Sequence, residues 1–538
     1  MAEVITEAPE VVPPAREPSR AAARPGAIMA VAVPAALAAV LALLDITARS
    51  LGFDEGATVS IASQHGAALW HAIARDGGNM SGYYLLMHVL IGTFGNGLLV
   101  LRLPSAVAFV TTVALIALIA RRLFDDRVAL VAGVLAAVSL PLVYWAQTAR
   151  GYAPMLALVC AGTLAFIALA DPRDGGRPGW RPWLGYVVAM TLAMYFSFVA
   201  VLVVPAQLLV LVHRRGALGR LLTALTAIAV GSVPLAVLAV RRGSGQLFWV
   251  PRPTRMVETQ VLDALTSAGL QPSFHHTATT YVLLWGTVAA VMVVLAVALR
   301  QARHGDRDWA RALVLAYCVV PAALTFVYSL VMQPIFVPRN LLISTPAVAL
   351  AFAPVICDRR LPRWAAAGLL LVVLGLRTLQ VSAAYGVSPE PWQQVTDHVL
   401  AVARSGDCIA FYPEDGRMAF QYYVGTAASR TARAPRSILP VRRWGTVRPY
   451  VEDYHTLSSR ALARRARGCR RMWFISSHEG QRDGPLQSRI NRARYEALGA
   501  ELAARFGAAP PVNEGYASTI HVQLLPGKAT AASGSGGG

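Results

Sequence analysis

Two adjacent carboxylates, Asp54 and Glu55, sit in Gly52-Phe53-Asp54-Glu55-Gly56, just past the first long apolar run, Ala27 to Asp45. A charge at the edge of a hydrocarbon layer must be offset by something, which makes it a candidate site. The plainer reading is a helix end facing water. What else stands at the same level shifts the balance. Arg150, in Gln147-Thr148-Ala149-Arg150-Gly151-Tyr152, and Arg339, in Pro334-Ile335-Phe336-Val337-Pro338-Arg339-Asn340, each mark the end of an apolar run. A guanidinium stays charged and can grip a phosphate through two parallel hydrogen bonds. A carboxylate beside such an arginine, over a lipid-lined groove, fits transfer from a lipid-linked phosphate. The carboxylate would take the proton of an acceptor hydroxyl, and the arginine would steady the departing phosphate. Taken singly, each arginine is more simply a side chain snorkelling to headgroups. His65, His71 and His88 read as interfacial anchors or exposed groups before metal ligands.

The chain that must position these groups has 538 residues, 55% hydrophobic and 14% charged. Its mean hydropathy is +0.49. Soluble proteins carry about 25% charged residues. Repeated apolar runs of about 20 residues, enough to cross a bilayer, make this an integral membrane protein. The net charge of +20 is not a nucleic-acid footprint, because much of it lies in short loops between apolar runs. There it retains loops in the cytoplasm. Lys528 is the single lysine among 49 basic residues, the mark of a GC-rich genome.

About eleven spans are expected from run length. They are Ala27 to Asp45, Leu98 to Ala120, Val128 to Trp145, Ala153 to Ala170, Leu184 to Ser197, Val199 to Leu211, Leu221 to Val240, Tyr281 to Leu299, Leu313 to Met332, Leu341 to Ile356 and Trp364 to Leu379. Alternate loops then separate. Six are short and arginine-bearing, among them Arg121 to Arg127 and Arg300 to Arg311, and are assigned to the cytoplasm. The other set holds Asp54, Arg150, the loop Arg241 to Ala278, Arg339 and everything after Ser382. The N-terminus is cytoplasmic on this reading, and the C-terminal domain extracytoplasmic.

The expected organisation is a disordered segment 1–26, a membrane core 27–382 with a functional first outer loop 46–97, an α/β domain 383–527 and a flexible tail 528–538. In the first outer loop, Val59 to Ala74 and Tyr83 to Gly92 are amphipathic and would lie along the interface, roofing a cavity. After Pro389, helical spacing alternates with short apolar strands, Asp407 to Tyr412, Arg471 to Ser476 and Thr519 to Leu524, the pattern of a small α/β domain. Trp392, Tyr412, Tyr422, Tyr423 and Trp473 could stack on sugar rings, though their places in strands and helices favour a core role for most. Cys408 and Cys469 could pair if this domain faces an oxidising compartment. Neither a C-x-x-C nor a His/Cys metal spacing is present.

The order of these elements resembles the GT-C glycosyltransferases, in the branch of the protein O-mannosyltransferases and aminoarabinose transferases. An acidic motif opening the first outer loop matches Phe53-Asp54-Glu55. Asn79 to His88 resembles the family's N-P-P-L-Y-Y-L-L-L-H, without its prolines. L-R-L-P-S is present as Leu101 to Ser105, R-R-L-F as Arg121 to Phe124, and Q-x-A-R-x-Y-A as Gln147 to Ala153. P-R-Y-L becomes Pro338-Arg339-Asn340-Leu341. The ordered set carries the likeness, over roughly residues 27 to 380.

The resemblance implies a GT-C membrane core with two interfacial helices in its first loop, in a bacterial plasma membrane. It implies a polyprenyl-phosphate sugar donor and inverting transfer with Asp54 as base. Glu55 would be a supporting acid that orients a donor hydroxyl. Arg150 and Arg339 would bind the donor phosphate, and Asn79, Tyr83, Tyr84, His88 and Tyr152 would line the cavity. No cofactor or obligatory metal is implied, and a divalent ion is left open. The sugar would be mannose, with an arabinofuranosyl donor as the alternative, and the acceptor an envelope glycan, glycolipid or protein. A lipid or glycan transporter or flippase is the reading from another class. Against it, the sequence shows no inverted repeat and no matched pair of interrupted helices. A non-catalytic envelope scaffold is a third reading, and the acidic pair argues against it.

Overall fold

The computed structural model describes residues 25–170, 179–211, 215–243, 308–359, 362–385, 387–425, 428–446, 458–484, 486–514 and 520–527, with single positions in 250–265 and at 449. The first helix is α1 (Pro25–Leu43). Three short helices fill the loop after it: α2 (Phe53–Ala62), α3 (Ala67–Arg75) and α4 (Ser81–Phe94). The long amphipathic stretch expected from Val59 to Ala74 is thus broken in two. The break falls at Gly66, whose φ of +54° is a left-handed conformation that glycine adopts without strain. Next come α5 (Leu98–Leu123), α6 (Asp126–Ala137), α7 (Leu140–Ala146), α8 (Tyr152–Ala170), α9 (Trp180–Phe196), α10 (Val204–Val210), α11 (Leu218–Gly231) and α12 (Val233–Arg242). Beyond the gap lie α13 (Asp308–Val331), α14 (Pro338–Ile356) and α15 (Arg363–Tyr385).

Among the described residues, six helices are long and apolar enough to cross a membrane. They are α1, α5, α8, α13, α14 and α15. The bent pairs α6–α7 (60°) and α11–α12 (53°) bring the number to eight if each is one crossing. Of the spans expected from the sequence, Tyr281 to Leu299 lies outside the described residues, as does most of the loop Arg241 to Ala278. The others fall on helices. The expected tight pair is α9, of 17 residues, followed by a 3-10 turn, Phe198–Val203, that runs into α10. Both members are shorter than a full crossing. Helix α5 packs against α1, α6 and α8, and α8 against α9, so α5 and α8 form the centre of the bundle.

The C-terminal part is an α/β unit. Its helices are α16 (Trp392–Val402), α17 (Arg417–Val424), α18 (Ala428–Arg433), α19 (Ser459–Arg465) and α20 (Leu486–Phe506). Its strands are β1 (Cys408–Tyr412), β2 (Arg436–Leu439), β3 (Met472–Ser476), β4 (Val512–Glu514) and β5 (Ile520–Leu525), in the order β2-β1-β3-β5-β4. β1 runs parallel to β2 and β3, with Tyr412 opposite Ser476. β5 is antiparallel to both its neighbours. Alternation assigns the two faces. Ile409, Phe411, Trp473 and Ile475 pack with Trp392, Val395, Ala419 and Phe420 in a core continuous with the membrane bundle. Ala410, Tyr412, Met472 and Phe474 pack with Leu462, Leu502 and Phe506 on the other face. Cys408 and Cys469 form a disulfide.

This unit is clamped onto the first loop. A Cβ placed on Gly56 would stand 2.9 Å from the Ala419 backbone, so α2 and α17 touch main chain to main chain, a contact closed to any larger residue. Tyr423 Oη accepts from Leu51 N at 2.6 Å, and Tyr422 Oη donates to Asn96 O at 2.9 Å. Trp392, Tyr412 and Trp473 are core residues, each at most 3% exposed, and so are not open to stack on a sugar.

Candidate active site

The N-terminus of α2 lies at the end of the bundle where α1 and α7 finish and α5, α8 and α14 begin. Asp54 occupies its first turn, where the helix dipole favours an anion. Arg339, at the start of α14, donates from Nη1 to Asp54 Oδ2 at 2.8 Å. Arg150, just before α8, places Nη2 3.9 Å from Asp54 Oδ1 and donates from Nη1 to the Asp54 carbonyl at 3.2 Å. The turn carrying Arg150 is held by Gly151, where a Cβ would lie 2.4 Å from Phe196 O. Three residues from three distant loops therefore meet. The Asp54 side chain keeps 37% exposure and Arg339 25%, while Arg150 is buried at 7%. Burial pushes the Asp54 carboxyl up. The charges of Arg150, Arg339 and His478, with the hydrogen bond from Arg339, outweigh that and hold it below the usual carboxylate range.

Glu55 turns into the interior. Arg102, the fifth residue of α5, meets it with Nε to Oε1 at 3.0 Å and Nη2 to Oε2 at 2.8 Å. Ala149 N donates to Oε1 at 2.7 Å, and Gly52 N to Oε2 at 3.2 Å. Burial raises this carboxyl too, and Arg102, then the Ala149 N–H and Arg49, bring it below the usual range. Arg102 also donates to the carbonyls of Ile46, Arg49 and Ser50. Both Glu55 oxygens are thus taken by protein donors. The expected supporting acid facing a donor hydroxyl is instead the strut that ties α2 to the loop before it, to α5 and to the Arg150 turn.

The residues expected to line a cavity divide. Tyr84 joins the cluster: its hydroxyl accepts from Arg150 Nη1 at 3.4 Å and donates to Asp76 Oδ2 at 2.8 Å. Tyr83 is fully buried, with its hydroxyl on Leu101 O and Ser105. Asn79 Oδ1 accepts from Phe198 N. His88 Nδ1 meets Ala62 O at 2.8 Å. Tyr152 is buried against Trp145. These four build the walls behind the cluster. Gln147 donates from Nε2 to the carbonyls of Leu41, Ala42 and Leu44, closing the end of α1. Among the described residues, no three His, Cys, Asp or Glu side chains gather as they would around a metal ion.

Two participants come from beyond the bundle. Glu390 Oε2 accepts from Phe53 N and from Trp392 Nε1, and the His478 ring packs tilted against Phe53 with ring centroids 5.1 Å apart. Nothing in their sequence surroundings signals this. Arg102 was more accessible to reading, since a charge inside an apolar run demands a partner.

Residues 80–240 match the family described as dolichyl-phosphate-mannose-protein mannosyltransferase. ArnT from Cupriavidus metallidurans, solved with undecaprenyl phosphate, aligns with a TM-score of 0.53 at 13% identity, over 92% of this chain and 98% of that one. The chain has the GT-C fold. The archaeal oligosaccharyltransferase AglB from Archaeoglobus fulgidus, in complex with an inhibitory peptide and a dolichol-phosphate, aligns with a TM-score of 0.50 at 12% identity, over 84% of this chain and 69% of that one. No curated protein matches the chain by sequence. The matched segment begins at α4 and so contains Tyr84, Arg102 and Arg150, while Asp54 and Arg339 fall outside it.

Proposed function

We propose that this GT-C protein transfers a sugar, mannose in the first instance, from a polyprenyl-phosphate donor to a hydroxyl of an envelope glycan, glycolipid or protein, with inversion. The observation that carries this reading is the Asp54 carboxylate set against Arg150 and Arg339 at one end of the bundle. A polyprenyl-phosphate sugar is a phosphodiester with one negative charge, and the departing monoester gains a second. Two fixed guanidiniums stabilise the charge that appears as the bond breaks, which is where binding energy accelerates a reaction. Asp54 pairs with Arg339 at 2.8 Å and stands 3.9 Å from Arg150. An arriving phosphate competes with it for Arg339, and a carboxylate released from an ion pair is a stronger base. Asp54 then takes the acceptor proton while the acceptor oxygen attacks the anomeric carbon opposite the phosphate. The sugar–phosphate bond breaks, leaving polyprenyl phosphate and a glycoside of inverted configuration.

The Cys408–Cys469 disulfide supports an oxidising, extracytoplasmic side for the α/β unit and for Asp54. The arginine-bearing loops support a cytoplasmic N-terminus. The test is transfer of labelled sugar from polyprenyl-phosphate mannose, and in parallel polyprenyl-phosphate arabinofuranose, in membranes containing the chain. Transfer from one donor identifies the sugar. Absence of transfer from both, with native envelope acceptors present, sinks the proposal.

Arg339→Ala tests the phosphate role and the acidity of Asp54 together. Losing one preorganised donor of this kind costs about 10²–10³-fold in rate. The pH profile carries its own sign. Arg339 holds the Asp54 carboxyl down, so in the wild type the acid limb of kcat/KM lies below the ordinary carboxylate range. In Arg339→Ala that limb moves up. An unmoved limb would show that the titrating base is not Asp54.

A further inference from the structure

In sheets with parallel strands, ligands bind at the carboxyl ends of the strands, where connections leave a neighbouring pair in opposite directions. Here that pair is β1 and β3. The chain leaves β1 through α17 toward β2 on one side, and leaves β3 through α20 toward β5 on the other. The segments after these strands are Glu414–Gly416 and Ser477–Glu479. They touch, since a Cβ on Gly416 would stand 3.8 Å from Ser477 Oγ. That hydroxyl is buried, in a residue 1% exposed, and has no hydrogen-bond partner among the described residues. His478 beside it holds a left-handed backbone, φ +56°, which costs a non-glycine residue energy and is commonly kept where a side chain must be aimed. Its ring lies on Phe53, next to Asp54. Its Nε2 stands 3.7 Å from Glu390 Oε1.

The switch point therefore lies beside Asp54. His478 (26% exposed) and Glu390 (16%) form the rim on one side, with Asp54 and Arg339 on the other. Charge separates the two sides. The arginines suit an anion. The opposite rim carries the Glu390 carboxylate, which repels one. It offers hydrogen-bond donors and acceptors suited to neutral hydroxyls.

We infer that the carboxyl edge of the β1–β3 pair is a sugar-binding subsite for the acceptor, in which His478 and Glu390 orient its hydroxyls toward Asp54. The assignment of the sugar as acceptor rests on the transfer reading above. His478 and Glu390 are positioning residues, and no proton transfer is assigned to them.

The probe is a synthetic alkyl dimannoside, titrated against the full chain in membranes with labelled polyprenyl-phosphate mannose. His478→Ala raises the KM for the dimannoside about tenfold, the scale of one lost hydrogen bond. The donor KM stays within about twofold, and His478→Gln recovers part of the loss. A second readout is independent of turnover. A dimannoside bearing a diazirine tags the peptides around 413–417 and 476–480 on irradiation, free dimannoside competes, and tagging falls in His478→Ala. Transfer with equal changes in both KM values overturns the inference and leaves the transferase reading standing, as does tagging confined to 65–97. Tagging at the edge without transfer from any donor keeps the sugar subsite and removes the transferase reading. Absence of competed tagging at the edge overturns the subsite.

Discussion

Asp54→Asn lowers sugar transfer about 10²–10⁴-fold, the usual loss when a general base is removed, and leaves the chain folded. The amide is isosteric and can still accept from Arg339 Nη1, which now donates at 2.8 Å. What it cannot do is take a proton. The side chain is 37% exposed, so water compensates in part for the lost ion pair. The melting profile of the purified chain therefore stays close to wild type while the rate collapses. Wild-type rates in Asp54→Asn would move the base elsewhere and remove the mechanism built on this cluster.

Glu55→Gln gives the opposite signature. Removing one partner of a buried pair leaves an uncompensated charge and costs roughly 3–5 kcal/mol. Here the stranded group is Arg102, whose side chain is 1% exposed and which also holds three carbonyls of the loop before α2. The expected result is a large drop in melting temperature and in the yield of folded chain, with transfer falling because Asp54 loses its platform. Glu55→Gln combined with Arg102→Met should be less harmful than the two single costs added, since no lone charge remains. The measurement is thermal melting of single and double variants in detergent, beside transfer rate per folded molecule. A Glu55→Gln protein that melts like wild type would show that the pair is not the strut described. The adjacent acids thus separate by experiment: one change stops chemistry in a stable protein, the other unsettles the protein that does the chemistry.

Much of this was legible in the sequence. Run length placed the six long apolar helices among the described residues, and alternation of arginine-bearing loops grouped Asp54, Arg150 and Arg339, which the contacts bring together. The strands around Ile409 and Phe474 showed themselves as short apolar runs. What stayed hidden is instructive. β2 is four residues between Pro435 and Pro440, and β4 is three, too short for any period to register. The division between Asp54 and Glu55 could not be read from two neighbouring carboxylates, because it depends on which faces Arg102, a residue 47 positions away from Glu55. Tyr83 and Tyr84 differ likewise by one helical step, one buried on α5 and the other reaching Arg150. Glu390 and His478 belong to a different chain region with its own fold pattern, and only packing brings them to Phe53.

The clamp on α2 has a consequence for biosynthesis. The first turn of α2 leaves the ribosome early, but the Glu390 carboxylate that receives its Phe53 N–H is 337 residues later, and His478 later still. At about 5–20 residues per second, the acidic turn waits roughly 20–85 seconds before the last of these supports arrives. During that interval it stands without the wall that completes it. A nascent or truncated chain would hold its charged cluster open to lipid and solvent, with no neighbouring edge to present an acceptor. Competence is thereby tied to completion: the segment made last closes the turn made near the beginning.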